Sequence, residues 1–394
     1  MRLSSPFFLR AAVLYYKVTS NPLPRRCAEK EERYGKVQKT TLLTPRGQSH
    51  KKFWQAVGLC ALTAAIFFLP FYILDGGFFH YAGDFNSQQI SFYRYMNGFV
   101  KGAGYPDSAF AGAPHNTFSW ATDLGSGVMN AYSFYLYGSP FFWLSVLLPQ
   151  SWLPYMMVPL LVLKFGVAGG GAFLYLRRYV KNENYAVLGA CLYALSGFAV
   201  YNVFFNHFVD VVALFPYLLW SLDEALYNDR RSWFAFWVAV NLVNNYFFFI
   251  GQVVFLAIYF ICKLSTRDFR LTAKKFGLLA FESLLGVAMG SILLVPAVLS
   301  ILQNPRTIDL SSGWGFLTYS KVQQYLAILV SWIMPPDSPY LTSIWSEGVI
   351  KWTSMSAYLP LCSLAGAVPT GKQSAATVKS ASWAPAPCSH WCPS

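Results

Sequence analysis

The feature that most constrains this chain is a series of long apolar runs nearly free of charge. Phe53–Leu74 holds 22 consecutive residues with no charged side chain, and about 20 such residues suffice to cross a bilayer. Trp152–Leu176, Tyr185–Phe204, Val211–Leu226 and Phe276–Leu302 continue the pattern. A backbone in lipid must satisfy its own hydrogen bonds, so these runs are expected to be helices. Composition agrees: 55% of residues are hydrophobic and only 12% charged, against about 25% charged in soluble domains. The expected fold is an all-α integral membrane protein, a polytopic helical bundle. A soluble enzyme and a disordered chain are both excluded.

Charge sets the sidedness. Residues 1–52 carry 12 Lys/Arg against 3 Asp/Glu. Such a basic segment before a first span stays in the cytoplasm, so the net charge of +13 marks a membrane face and not a nucleic-acid surface. Residues 75–131 must then be external. Arg177, Arg178, Lys181, Arg230 and Arg231 return to the cytoplasmic side, which makes residues 206–210 a short external turn. Trp233–Cys262 is bounded by cations at both ends. A hairpin of two short helices turning near Asn244-Asn245 keeps both sets of cations inside. Ser133–Leu148, interrupted by Ser139-Pro140, is expected to lie at the interface or to enter the membrane only partly.

Three segments follow: a basic cytoplasmic or mis-started arm at 1–52, a polytopic membrane domain at 53–368, and a low-complexity tail at 369–394. The domain includes external loops at 75–131 and 303–357. Tyr358–Val368 opens a span that stops after 11 residues, before a stretch rich in Ala, Ser and Pro. Either the end is truncated by a frameshift, which is the expectation and implies an inactive polypeptide, or Tyr358–Val368 is merely interfacial. Cys60, Cys191, Cys262 and Cys362 lie in or beside apolar runs, where a thiol behaves as a small hydrophobe. Cys388, His390 and Cys392 in the tail are too few for a metal clip.

The external segments are where chemistry is expected. Asp84, in Gly83-Asp84-Phe85, has Gln88 four residues on, so a helical start puts both on one face. Asp84 is either a helix cap or a ligand-binding acid. Trp120, Asp123 and Asn130 are interleaved with glycine and tyrosine. That pattern suits sugar stacking and hydroxyl binding, and equally an interfacial aromatic belt. His207 and Asp210 could share a ligand, a proton or a metal if their turn is helical. Whether a divalent metal is needed stays open, with these two as its ligands.

The order Gly83-Asp84-Phe85, Gln88, Trp120, Gly125, Asn130, Ser139-Pro140-Phe141, Asn206-His207-Phe208-Val209-Asp210 and Asn245-Tyr246-Phe247 resembles the N-terminal part of the bacterial YfhO family over residues 53–368. The resemblance implies a GT-C type glycosyltransferase with a long first external loop. Such an enzyme takes a sugar from a polyprenyl-phosphate carrier to a cell-envelope polymer such as teichoic acid, outside the cytoplasmic membrane. It implies Asp84 as the catalytic carboxylate that serves the acceptor hydroxyl, and Asp210 as an aid to donor-phosphate binding. Arg306 is a candidate for offsetting the charge of the phosphate. Gln88, Trp120, Asp123, Asn130 and His207 complete the expected donor and acceptor contacts. The partners expected are the lipid-linked sugar, the acceptor polymer and the bilayer, with no nucleic acid.

Two other functions compete. A transporter or flippase of lipid-linked saccharide would need ionisable groups near mid-membrane. Lys164 and Glu282 are the main ones within spans, with the other acids expected at the outer surface, a distribution that favours surface chemistry. A non-catalytic envelope-assembly protein is the other.

Overall fold

The computed structural model describes residues 50–302, apart from 82, 103–117, 120–121, 123–124, 266–268 and 270. The arm at 1–49, Trp120, Asp123, Arg306 and everything from 303 onward, including the interrupted span and the tail, lie outside the described residues.

The described chain is helical almost throughout. Helix α1 is His50–Leu74; a π-turn at Phe85–Gln89 leads into α2, Ile90–Val100. A two-residue antiparallel pair, β1 (Phe118–Ser119) with β2 (Ser126–Gly127), precedes α3, Val128–Tyr132, and a second π-turn at Ser133–Tyr137. Then come α4 (Pro140–Val146), α5 (Leu153–Leu176), α6 (Glu183–Ala194) and α7 (Gly197–Tyr201). The last four are α8 (Asn206–Asn228), α9 (Trp233–Asn244), α10 (Tyr246–Ser265) and α11 (Ala273–Leu302). Five helical stretches among the described residues are long and apolar enough to cross a membrane: α1, α5 with its leading turn, the run from α6 through α8, α10 and α11.

Small residues let α5 approach both α1 and α8 closely. A Cβ added at Gly169 would lie 2.4 Å from Cys60 Sγ, and one at Gly171 would lie 2.6 Å from the Tyr217 ring. Helices α1 and α5 are antiparallel, since Phe68 meets Phe165 while Val57 meets Gly170. Helix α8 runs parallel to α5: Asp210 pairs with Lys164, the Tyr217 hydroxyl donates to the Val167 carbonyl, and Arg178 reaches Asp223 and Glu224.

The stretch 233–262 breaks at Asn245, whose side chain accepts the Phe248 N–H at 3.1 Å and so starts α10. Trp233 lies against Trp220 and Trp237 against Tyr217, so α9 runs back along α8. Phe248 meets Phe208 and Tyr259 meets Asp223, so α10 reverses again. The hairpin therefore brings Lys263 and Lys275 to the end that carries Arg178 and Arg230: Lys263 lies over the Tyr179 ring, and Lys275 pairs with Asp229. Lys52, bonded to Asn184, is at the same end.

One expectation needs correction. Residues 206–210 are not a free external turn but the first turn of α8, and Asn206, His207 and Asp210 are all buried. Helix α6 is only 12 residues long. The chain bends at Leu195-Ser196, where Ser196 caps α7 by accepting the Ala199 N–H, and α8 begins within the bundle.

Candidate functional site

The described residues between 75 and 149 form a cap over the end of the bundle opposite the cations. Within it the Phe85–Gln89 turn, headed by Asp84, packs on the 3₁₀ turn Asn202–Phe205. Gly83 makes this possible: its φ is +46°, a conformation open mainly to glycine, and a Cβ there would lie 2.6 Å from the Phe204 ring. Asp84 is half-buried at the head of the turn and forms no side-chain cap. Among the described residues its carboxylate meets neither a hydrogen-bond donor nor a cation, so the helix-cap role is not taken up. Asp75, the neighbouring acid, differs. It accepts the backbone N–H of His80 and lies 3.1 Å from the His80 ring nitrogen. Those contacts hold its carboxyl below the ordinary range.

Gln88 is half-buried beside Asp84, whereas the next residue, Gln89, is fully buried with both amide atoms unbonded. Asn130 is half-buried on α3. His207 is 3% exposed, enclosed by Phe134, Tyr135 and Phe208, with both ring nitrogens unbonded. Buried polar atoms almost always have partners. Gln89 and His207 therefore hold unused hydrogen-bonding capacity close to the element that carries Asp84.

Beneath this layer lies a sealed polar cluster. Lys164 Nζ is 2.5 Å from Asp210 Oδ1, and it donates to the Asn206 side-chain oxygen at 2.8 Å and the Asn206 carbonyl at 3.1 Å. Ser139 Oγ donates to Asp210 Oδ2 at 2.5 Å while also accepting the Phe142 N–H. Tyr93 completes the enclosure, with its phenol against Ser139 and Asn206. Burial, and next the Asp210 charge, hold that phenol well above its ordinary value, so it stays a neutral donor. Lys164 stands 11 residues from Leu153 and 12 from Leu176, about 16–18 Å of helix rise in each direction. The pair is thus halfway along α5 and not at its outer end.

The structure therefore splits the expected site residues. Asp84 and Gln88 share the outer turn, and His207 begins the helix just past the 3₁₀ turn that supports it. Asp210 belongs to the inner cluster, its two oxygens taken by Lys164 and Ser139. Lys164, Ser139, Tyr93, Asn206 and Gln89 were not among the expected site residues. One signal was available for Lys164: a cation in the middle of an apolar run needs an acid on a neighbouring helix. No group of three or more His, Cys, Asp and Glu is placed to hold a metal ion among the described residues.

A family model described as bacterial membrane protein YfhO matches residues 57–325. No curated protein and no solved structure matches the chain.

Proposed function

The chain belongs to the bacterial membrane protein YfhO family, and from that premise we propose that it is a membrane glycosyltransferase. Its donor is a sugar on a polyprenyl-phosphate carrier, and its acceptor is a hydroxyl of a cell-envelope polymer such as a teichoic acid. One observation carries this reading: Asp84 is a half-buried carboxylate at the end away from the cations, with no hydrogen bond or ion pair among the described residues. A carboxylate left free can accept a proton. As the acceptor oxygen attacks the anomeric carbon, Asp84 takes the hydroxyl proton, and the bond from carbon to the carrier phosphate breaks with its electron pair leaving on phosphate. The leaving charge needs a cation, a role proposed for Arg306. Gln88, Trp120, Asp123, Asn130 and His207 are proposed to contact the sugar or acceptor. Asp210, fixed by Lys164 and Ser139, positions the helix start that carries His207. The cation-rich end faces the cytoplasm under the charge rule, so the site faces outward from the cytoplasmic membrane.

The test is sugar transfer from a polyprenyl-phosphate donor in membranes containing the chain, wild type against Asp84→Asn. A fall of roughly 10²–10⁴-fold with unchanged thermal stability is expected. Undiminished transfer removes Asp84 from the chemistry.

The mid-height Lys164–Asp210 pair is the observation that favours a second reading, transport of a lipid-linked saccharide, because ionisable groups within a membrane often line a pathway. Loss of saccharide flipping in the double variant Lys164→Met with Asp210→Leu, with its fold retained and no transferase substrate found, would establish it. An assembly role without catalysis predicts unchanged envelope sugar in both Asp84→Asn and Asp210→Asn.

A further inference from the structure

At the cation-rich end, helices α8 and α11 and the turn into α9 enclose a cleft of about 400 Å³. Arg230, Arg231, Lys274 and Lys275 line it, with Leu278 and Leu279 as an apolar wall. Two of these cations are already committed: Arg230 Nε lies 3.3 Å from Glu224, and Lys275 Nζ lies 3.1 Å from Asp229 and 2.6 Å from the Leu226 carbonyl. Arg231 and Lys274 are exposed and have no acid partner among the described residues.

The walls are built to keep them there. Asp229 and Ser232 both adopt positive φ, at 51° and 72°, a conformation that non-glycine residues hold only where the surroundings enforce it. Glu282 holds Ser232 in place from the floor of the cleft by accepting its N–H at 3.1 Å. On the other side Thr272 precedes the first residue of the 30-residue α11 and takes the Lys275 N–H with its hydroxyl at 3.2 Å. The positive end of that helix dipole opens on the same cleft.

We propose that this cleft binds a phosphate group, the one carried by an anionic phospholipid of the adjoining leaflet. Arg231 supplies a planar fork and Lys274 a point charge for the phosphate oxygens. The Leu278–Leu279 wall takes the start of the acyl region. Basic pockets between helices on the cytoplasmic side suit such headgroups. Glu282 sets the limit of the site: its buried Oε2 is unbonded, so the phosphate must sit toward Arg231 and Lys274, away from the floor. The inference concerns the end opposite Asp84 and does not depend on sugar transfer.

The experiment uses the purified full chain in mild detergent, with phosphatidylglycerol as the probe and retained lipid counted by native mass spectrometry. Arg231→Gln with Lys274→Gln is expected to weaken retention by roughly tenfold or more, the loss of two charge-assisted contacts. Lys51→Gln with Lys181→Gln, at the same end but away from the cleft, is expected to leave it unchanged. Equal loss in both double variants would mean diffuse surface attraction and overturn the proposal, as would no loss in the first. Displacement of the lipid by millimolar inorganic phosphate supports a site that reads phosphate. Binding of inorganic phosphate to a chain that retains no phosphatidylglycerol at all would overturn the lipid source.

Discussion

Lys164 Nζ and Asp210 Oδ1 lie 2.5 Å apart with both side chains sealed from solvent, joining the middle of α5 to the first turn of α8. Neither charge has water to fall back on, so each is tolerable only because of the other. Asp210→Asn or Lys164→Met alone should destabilise the protein by about 3–5 kcal/mol, the usual consequence of stranding one buried charge. The double variant Lys164→Met with Asp210→Leu should recover most of the loss. Thermal unfolding in detergent reads the cycle, and single variants as stable as wild type would show that the pair holds nothing together.

Gly138 makes a sharper demand on packing. A Cβ there would fall 1.5 Å from the Val243 carbonyl oxygen, so backbone meets backbone and no rotamer change can relieve the clash. Gly138→Ala should therefore separate the second π-turn from the end of α9, at about 1–3 kcal/mol or more. Gly251 on α10 has nothing within 4 Å of its Cβ position, and Gly251→Ala should be neutral or gain up to about 1 kcal/mol of helix propensity. The two melting temperatures, measured side by side, check the contrast. Equal behaviour would mean that α9 and the π-turn do not meet.

The spans and their common cationic end could be read from sequence because an apolar run of span length has few alternatives and cations do not cross readily. The break at Asn245 was also legible: two adjacent amides in an apolar stretch, one of which caps the next helix. The inner cluster was not. Asn206, His207 and Asp210 interrupt an apolar pattern, and a polar interruption between two spans reads as an external turn. Only the long-range meeting of Asp210 with Lys164 and Ser139 shows that these residues are satisfied inside the bundle. Gly83-Asp84 did stand out, but that Asp84 lacks a partner among the described residues while Asp75 has His80 is a matter of tertiary geometry.

Cys60 on α1 and Cys191 on α6 have sulfurs 3.6 Å apart and are both free thiols. A disulfide needs about 2.05 Å between sulfurs, a small closure for two packed helices. A membrane-permeant oxidant should therefore link these two of the seven cysteines in the folded protein, identified by peptide mapping, and Cys60→Ser should abolish the product. Oxidation of Cys262 with no Cys60–Cys191 link at any dose would place α1 and α6 farther apart than they are here.

The reversal at Asn245 has a direct consequence for sidedness. If α9 and α10 turn back on each other, Lys181 and Ser265 share one membrane face and His80 lies on the other. Cysteines introduced one at a time at these three positions in a cysteine-free background should divide accordingly. Lys181→Cys and Ser265→Cys should react with an impermeant maleimide only after the cells are opened, and His80→Cys should react in intact cells. A single uninterrupted span over residues 233–262 would instead expose Ser265→Cys to the outside. That result would also separate Lys275 from Asp229, which lie 3.1 Å apart, and dismantle the basic cleft. Labelling of Ser265→Cys in intact cells is therefore the outcome that would overturn this arrangement of the last three helices.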